Sequence, residues 1–113
     1  MRQGEIVWVE FPSGEGRAQA RRRPAVVLQE ESLQLPTKLL IPLSSQRAAL
    51  RFPGAVLIEP DATNGLRVPS VALVFQVRAV DTRHIGTTLG SVSESKLQEL
   101  FDALDELTGR DLG

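Results

Sequence analysis

Two short segments of this chain carry side chains that suit phosphate chemistry. The first is Arg21-Arg22-Arg23-Pro24, which ends a polar, glycine-bearing loop and leads directly into an apolar run at 25–28. Because the proline restricts the backbone, Arg23 can hold its guanidinium toward the loop, where it would stabilise negative charge developing on a phosphate. Adjacent arginines are also common on ordinary protein surfaces, so this segment alone leaves both interpretations open.

The second segment is Ile41-Pro42-Leu43-Ser44-Ser45-Gln46, at the end of a predicted strand. A hydroxyl at a strand end can donate a hydrogen bond to a phosphate oxygen or orient a ribose 2′-hydroxyl, and Ser44 holds that position. A Ser-Ser pair is also typical of an ordinary turn. Its pairing with Arg23-Pro24, at a suitable separation along the chain, favours the functional interpretation.

The remaining reactive residue types narrow the chemistry. The chain has no cysteine, which excludes disulfides, a cysteine nucleophile and thiolate metal sites. Its one histidine, His84, argues against a histidine-based metal centre, so we predict a protein that works without a metal or a cofactor. His84 is also the one side chain with an unperturbed pKa near neutrality, but we expect it to be a surface residue rather than a general base.

Charge is distributed unevenly along the 113 residues. The formal net charge is −1, yet residues 94–113 carry six acids against two bases, which leaves the rest of the chain at +3. Of the 13 basic residues 11 are arginine, the side chain best suited to bidentate phosphate contacts. This distribution is compatible with a localised site for an anionic ligand, and equally with a solvated surface of mixed charge.

Short strands followed by one helix are the elements that must position these residues. Apolar and β-branched runs bounded by proline, glycine and asparagine predict strands over Glu5–Phe11, Pro24–Gln29, Lys38–Ser44, Ala55–Ile58, Ser70–Val80 and Thr87–Leu89. Pro42 predicts a bulge or an edge within the third strand. We therefore predict a single domain over 1–113, mainly β, built as a small SH3-like barrel of about five to seven strands with one long C-terminal helix.

The C-terminal helix has the clearest pattern. Ser91-Val92-Ser93-Glu94 fits a capping box in which Ser91 caps the helix and Glu94 reaches back. Apolar residues at helical spacing from 97 to 107 form one stripe, and Gly109 is placed to end the helix. No apolar run approaches the ~20 residues of a membrane span, and the N-terminus lacks a signal-peptide core, so we predict a cytoplasmic protein.

The order of these parts resembles the MazF/PemK family of toxins from toxin–antitoxin systems. The features that carry the resemblance are the strand starting Gly4-Glu5-Ile6-Val7-Trp8, the Arg23-Pro24 pair, the Pro42-x-Ser44 segment and Gln76-Val77-Arg78-Ala79-Val80-Asp81. The resemblance implies a MazF/CcdB-type barrel. It also implies a sequence-specific, metal-independent endoribonuclease that cleaves single-stranded mRNA by 2′-hydroxyl attack, leaving a 2′,3′-cyclic phosphate and a 5′-hydroxyl.

The resemblance also implies roles for particular residues. Arg23 matches the family's catalytic arginine, and Ser44 matches its active-site hydroxyl. The implied RNA-binding positions are Arg17, Gln19, Arg21, Arg22, Ser45, Gln46, Gln76 and Arg78. The implied partners are single-stranded RNA, a second copy of the chain in a homodimer, and a cognate MazE-like antitoxin whose acidic segment displaces the loop at 13–22. We predict that this loop is mobile in the free protein.

Two carboxylates that act as proposed general bases in relatives are replaced here by Ala18 and Phe75. A general base contributes about 10²–10⁴ in rate, so three alternatives remain open. The first is a slow nuclease that relies on arginine electrostatics, and the second is a non-catalytic family member. The third is a CcdB-like toxin that binds a protein target with the same fold. The Arg23-Pro24 and Pro42-x-Ser44 segments together favour the nuclease.

Overall fold

The structure is a computed structural model that describes residues 1–11 and 21–110. The strands are β1 (Glu5–Phe11), β2 (Arg21–Val27), β3 (Thr37–Ser44), β4 (Ala55–Ile58), β5 (Ser70–Leu73), β6 (Arg78–Asp81) and β7 (Ile85–Ser91). The α-helix α1 spans Glu94–Thr108, and 3-10 helices lie at Arg47–Arg51, Val74–Gln76 and Thr82–His84. Arg17, Gln19 and the loop at 12–20, on which the mobility prediction falls, lie outside the described residues.

The strands form one curled antiparallel sheet. Its order is β4-β5-β3-β2-β1-β7, and β6 pairs with another part of β3. α1 packs against β4 and the 3-10 helix Val74–Gln76. Seven antiparallel strands followed by one helix confirm the predicted fold class. β1 and β4 have their predicted bounds, whereas β2, β3 and β7 each begin earlier than the sequence predicts.

The central strand β3 changes its partner along its length. Its first half pairs with β6, ending with Leu40 opposite Arg78, whereas Leu43 lies opposite Ala72 of β5. Pro42 lies between these two pairings, where a residue without an N–H group removes no bond from either ladder. The irregularity predicted at Pro42 takes the form of this change of partner.

The single long strand predicted over Ser70–Val80 is wrong. The segment consists of β5, a 3-10 helix and β6. Two residues of β3 separate Leu40 from Leu43, whereas five residues separate their partners Ala72 and Arg78. The three surplus residues leave the sheet as the 3-10 helix Val74–Gln76, which is closed by a bond from Val77 N to Val74 O (3.0 Å). Apolar content hid this interruption from the sequence pattern.

Both faces of the sheet are covered, and alternate residues of each strand supply the two cores. The first core, here called the helix face, combines strand residues with Leu100 and Ala103 of α1. The second, here called the arginine face after Arg23 and Arg78 at its border, is smaller and is formed by strand residues. Members of the helix face include Ile6, Val26, Leu28, Ile41 and Leu43; the arginine face contains Val7, Val9, Phe11, Ala25, Val27, Leu40 and Val80.

The helix begins two residues later than predicted. Ser93, not Ser91, is the N-cap, because its Oγ accepts a hydrogen bond from Lys96 N at 3.1 Å. Ser91 remains in β7, opposite Glu5 of β1, so it is committed to the sheet. Gly109 ends the helix in the left-handed conformation (φ +74°), as predicted. In the part of the chain that the structure describes, no helix is both long and apolar enough to cross a membrane.

The chain turns at Asn64-Gly65, and the Asn64 side chain stabilises this turn from inside. Asn64 is 1% exposed, its Nδ2 donates to Glu59 O (2.8 Å), and its Oδ1 accepts from Leu66 N (3.0 Å) and Asp61 N (3.2 Å). Gly65 adopts φ +72°, which strongly favours glycine. The side-chain amide therefore replaces backbone partners that this turn lacks.

Side chains also bond to main-chain carbonyls at the outer strand β4. Lys96 Nζ of α1 donates to Leu57 O at 3.0 Å and forms an ion pair with Glu99 at 2.8 Å. Asn64 contributes its bond to Glu59 O just beyond the end of this strand. These contacts fasten the helix and the following turn to the outer edge of the sheet.

Candidate nucleic-acid site

Arg23 and Ser44 lie on neighbouring strands at the border of the arginine face. β2 and β3 pair from Val27 opposite Leu40 to Ala25 opposite Pro42. The recorded pairing ends there, and continuing its register by two residues would set Arg23 level with Ser44. Because side chains alternate along a strand, both point to the side that carries Ala25 and Leu40. The two residues predicted as catalytic are therefore placed on one face by the sheet itself, and both are partly buried.

The Ser44 hydroxyl is held by the turn that follows β3. Its Oγ accepts a hydrogen bond from Gln46 N at 3.1 Å. A hydroxyl can accept and donate at once, so this oxygen can still donate its hydrogen to a phosphate oxygen. Ser45 and Gln46 are exposed beside it. The segment therefore forms a turn that leaves the Ser44 hydroxyl able to donate, and the functional role of Ser44 stays a prediction.

Arg78 and Gln76 lie on the chain segment that leads into β6, the partner of the first half of β3. Arg78 is exposed on β6, opposite Leu40, and its guanidinium carbon is 5.3 Å from the ring centroid of Phe11 at the end of β1. Gln76 is exposed in the 3-10 helix that interrupts the sheet. Stacking on Phe11 orients the arginine without neutralising it, so its charge is available to an anion.

Arg22 points to the opposite side of β2. Its guanidinium carbon lies 4.7 Å from the ring centroid of Trp8, which is half-buried rather than part of either core. These residues line a cleft of about 300 Å³ with Glu10, Arg83, His84 and Gly86. Arg22 is therefore separated from Arg23 by the thickness of the sheet, although the two are adjacent in sequence.

Arg83 is already paired within its own turn. Its guanidinium donates twice to the Asp81 carboxylate, with both distances at 3.1 Å, and its backbone N–H donates to the same group at 2.9 Å. The side-chain and backbone hydrogen bonds from Arg83 lower the pKa of the Asp81 carboxyl below its usual value. Asp81 is thus held ionised as a structural partner of Arg83, which makes it a poor proton acceptor for catalysis.

Phe52 and Phe75 form an exposed aromatic pair. The rings of Phe52 and Phe75 are 5.3 Å apart between centroids, at an interplanar angle of 52°. The Arg51 guanidinium carbon lies 4.8 Å from the Phe52 ring centroid. In the sequence, Phe75 stands out only as the residue at a position where relatives carry a carboxylate, and nothing local pairs it with another ring. Its partner Phe52, 23 positions earlier, carried no local signal.

The described residues show no metal-binding cluster. Among residues 1–11 and 21–110, no group of three or more His, Asp or Glu side chains is placed to hold a metal ion. The absence of a cofactor stays a prediction. The cationic residues described at the border of the arginine face are Arg23 and Arg78, and arginines suit an anionic ligand.

Comparison with known proteins identifies the family. The sequence profile described as "PemK-like, MazF-like toxin of type II toxin-antitoxin system" matches residues 2–108. The chain belongs to this family. The resemblance drawn from the Arg-Pro and Pro-x-Ser segments is thereby confirmed.

Individual MazF proteins are similar along almost their whole length. Endoribonuclease MazF9 of Mycobacterium tuberculosis is 31% identical over 111 residues, which cover 92% of each chain. Endoribonuclease toxin MazF of Escherichia coli is 29% identical over 107 residues, covering 94% of this chain and 92% of that one. A crystal structure of MazF from Deinococcus radiodurans superimposes with a TM-score of 0.78 at 27% identity and covers 96% of both chains.

A MazE-MazF crystal structure from Deinococcus radiodurans superimposes with a TM-score of 0.79, at 25% identity over 98% of this chain and 97% of that chain. Within this MazF-like fold, Ser44 ends β3, Arg23 lies on the neighbouring strand β2, and Gln76 and Arg78 lie in the segment that leads into β6, opposite the middle of β3. Arg22 lies on the other side of the sheet, and the side chain of Arg21 lies beyond what the structure describes. The cationic and hydroxyl groups of this arrangement are of the types that bind a phosphate.

Proposed function

We propose that this protein is an endoribonuclease toxin. It cleaves single-stranded mRNA at a specific sequence without a metal ion, through attack of a ribose 2′-hydroxyl on the adjacent phosphate. The products are a 2′,3′-cyclic phosphate and a 5′-hydroxyl. The observation that carries this proposal is that the chain belongs to the MazF-like family over residues 2–108, and the positions of Arg23 and Ser44 on the adjacent strands β2 and β3 support it.

Arg23 and Ser44 have complementary roles at the scissile phosphate. Arg23 stabilises the charge that develops on the phosphate and protonates the leaving 5′-oxygen. Ser44 donates its hydroxyl hydrogen to a non-bridging oxygen, while its own oxygen is held by Gln46 N. Such preorganised donors act without reorganisation during the reaction, and loss of one costs about 10²–10³ in rate.

The surrounding polar residues bind the RNA. Single-stranded RNA suits the site because its unstacked bases can be splayed out and read at their edges. Arg78 contacts the RNA backbone, and Gln76 positions a nucleotide beside it. The further proposed RNA-binding positions are Arg17, Gln19, Arg21, Ser45 and Gln46, together with Arg22 on the opposite side of β2.

A carboxylate base is not required in this proposal. Ala18 and Phe75 replace the acids found in relatives, and Asp81 is committed to Arg83. The 2′-hydroxyl loses its proton to water while the site holds it in line with the phosphate, so catalysis rests on positioning and arginine electrostatics. We expect a slow enzyme whose rate is still sufficient for a toxin.

The cellular setting follows from the family. The proposed assembly is a cytoplasmic homodimer of single-domain subunits over 1–113, neutralised by a MazE-like antitoxin. The similarity to a MazE-MazF structure supports an antitoxin partner. An acidic antitoxin segment would compete with RNA phosphates for the same arginines.

The test is cleavage of a long single-stranded transcript in EDTA by the wild type, Arg23→Ala and Ser44→Ala, with Arg67→Ala as a matched exposed-arginine control. We expect discrete fragments with cyclic-phosphate ends from the wild type and from Arg67→Ala. Arg23→Ala should cleave about 10²–10³-fold more slowly. Equal cleavage by wild type and Arg23→Ala would contradict the proposed mechanism.

A non-catalytic member of the family is the second candidate, because both carboxylate positions are lost. It predicts RNA or antitoxin binding without cleavage by any variant. A CcdB-like toxin would instead bind a protein target and inhibit growth without fragmenting RNA. In that case growth inhibition by the wild type would persist in Arg23→Ala.

A further inference from the structure

The Phe52–Phe75 pair presents aromatic surface to solvent. Phe52 is 42% exposed and Phe75 is 37% exposed, and their rings contact each other rather than either core. Arg51 stacks on the outer ring of this pair, Phe52. Two exposed aromatic rings in contact offer an apolar surface on which a planar ligand can stack.

Backbone hydrogen bonds fix both aromatic residues in place. Val74 N, next to Phe75, donates to Gly54 O at 3.1 Å, which joins the two segments directly. Phe52 N donates to Ala49 O at 3.1 Å, and Phe52 O accepts from Ala55 N at 3.2 Å. The backbone that carries the aromatic surface is therefore preorganised, so ligand binding would lose little conformational entropy there.

The aromatic pair adjoins the proposed RNA site along both chain segments. The 3-10 helix Arg47–Arg51 starts directly after the Ser44-Ser45-Gln46 turn and leads to Phe52. Phe75 immediately precedes Gln76, in the three-residue excursion that the change of partner of β3 forces out of the sheet. Bulges of this kind redirect side chains, and here the exposed ones are an aromatic ring and an amide.

We propose that Phe52 and Phe75 form a stacking platform for one unpaired nucleobase next to the cleaved phosphate, and that Arg51 contacts the backbone phosphate of that nucleotide. This inference rests on the proposed RNA substrate. Aromatic faces stack on bases of any identity, and arginine adds charge and a planar surface. At Phe75, where relatives carry a carboxylate, this chain therefore exchanges an acidic contact for a stacking contact.

The size and charge of the surface favour a nucleotide over a protein partner. A phenylalanine side chain has roughly 150–250 Å² of surface, so the exposed parts of these two rings amount to roughly 150 Å². A stable protein interface needs about 800 Å² from each partner. A single base covers an area of the platform's size, and its phosphate matches Arg51.

The test measures binding of a fluorescent, randomised single-stranded RNA pool with 2′-O-methyl groups, which cannot be cleaved. The variants are Phe52→Ala, Phe75→Ala, Phe75→Leu and Phe75→Trp, with Leu35→Ala as an exposed apolar control. We expect the alanine variants to weaken binding about 5- to 100-fold. Phe75→Trp should bind like the wild type, Phe75→Leu should bind like Phe75→Ala, and Leu35→Ala should change nothing.

A second measurement uses one RNA of the pool's preferred sequence with a single abasic nucleotide moved along it. The wild type should lose affinity most at one position, and Phe75→Ala should be insensitive to removal of that base. Unchanged binding by the alanine variants, or equal losses in Phe75→Trp and Phe75→Ala, would overturn the inference. A molecular mass of the alanine variants that differs from the wild type in light scattering would also overturn the inference, because the rings would then contact a second protein chain.

The failure of this inference is distinguishable from failure of the proposed function. If the wild type binds RNA without cleaving it and the alanine variants bind more weakly, the platform stands and the nuclease fails. If the wild type cleaves and the alanine variants bind and cleave normally, the nuclease stands and the platform fails. Thermal unfolding of each variant, followed by circular dichroism, shows that the compared proteins are folded.

Discussion

The two faces of one sheet differ in how their apolar surface ends. The helix face is closed by α1, whose Leu100 is 0% exposed and whose Ala103 is 8% exposed. The arginine face ends at Phe11, over which Arg78 stacks, and at Arg23 beside Ala25. A closed face contributes mainly stability, whereas a face bordered by cations keeps charge available to a ligand. The same strands serve both purposes because their residues alternate.

The largest expected effect is on stability, where a mutation in the helix face should cost far more than one at the border of the arginine face. Leu100→Ala removes a fully buried side chain from the helix face and should lower the free energy of unfolding by about 2–5 kcal/mol. Arg23→Ala should change it by only about 0.5 kcal/mol, because a partly exposed arginine at the border leaves no cavity. Urea unfolding of both variants checks this difference. Similar losses of unfolding free energy in the two variants would contradict the proposed difference between a stabilising face and a ligand-binding face.

A smaller effect is expected at the turn that packs beside the helix face. Asn64→Ala removes bonds to Glu59 O and to the N–H groups of Asp61 and Leu66. Leaving such buried groups without partners should cost about 1–3 kcal/mol of unfolding free energy. Ala62→Ser, an exposed change in the same turn, is the control for thermal unfolding. A loss no greater than that of the control would show that water replaces the amide.

The smallest effect concerns the start of α1, on which the closure of the helix face depends. Ser93→Ala removes the cap on Lys96 N and should cost about 1 kcal/mol. Ser91→Ala should cost less, because Ser91 is a strand residue opposite Glu5. Urea midpoints of the two serine variants decide between the observed cap and the predicted one. A greater loss for Ser91→Ala would restore the capping box at 91–94.

Local patterns predicted the elements that local physics determines. β1 and β4 are bounded by glycine and proline, and Gly109 marks the end of α1, so their limits could be read from the sequence. The interruption at Val74–Gln76 could not, because it arises from β3 exchanging one partner for another. The cap was misplaced for a similar reason, since pairing with β1 claims Ser91.

The candidate site likewise combines features that local sequence predicts with features that depend on the fold. Arg23 and Ser44 could be predicted because each lies in a recognisable segment beside a proline. That Arg22 and Arg23 lie on opposite sides of the sheet follows from strand alternation, once the start of β2 at Arg21 is known. The contact between Phe52 and Phe75 could not be predicted, because the fold brings together residues from separate 3-10 segments.

The bond from Lys96 Nζ to Leu57 O has a consequence for the behaviour of the protein at high concentration. β4 is one of the two terminal strands of the sheet order, and a bare terminal strand is a template for intermolecular strand addition and aggregation. A charged ammonium group bound to a main-chain carbonyl there blocks the register that an incoming strand would need. Its pairing with Glu99 keeps the lysine in that position. Lys96 and Glu99 of α1 therefore disfavour strand addition at β4 and the fibrous aggregation that would follow from it.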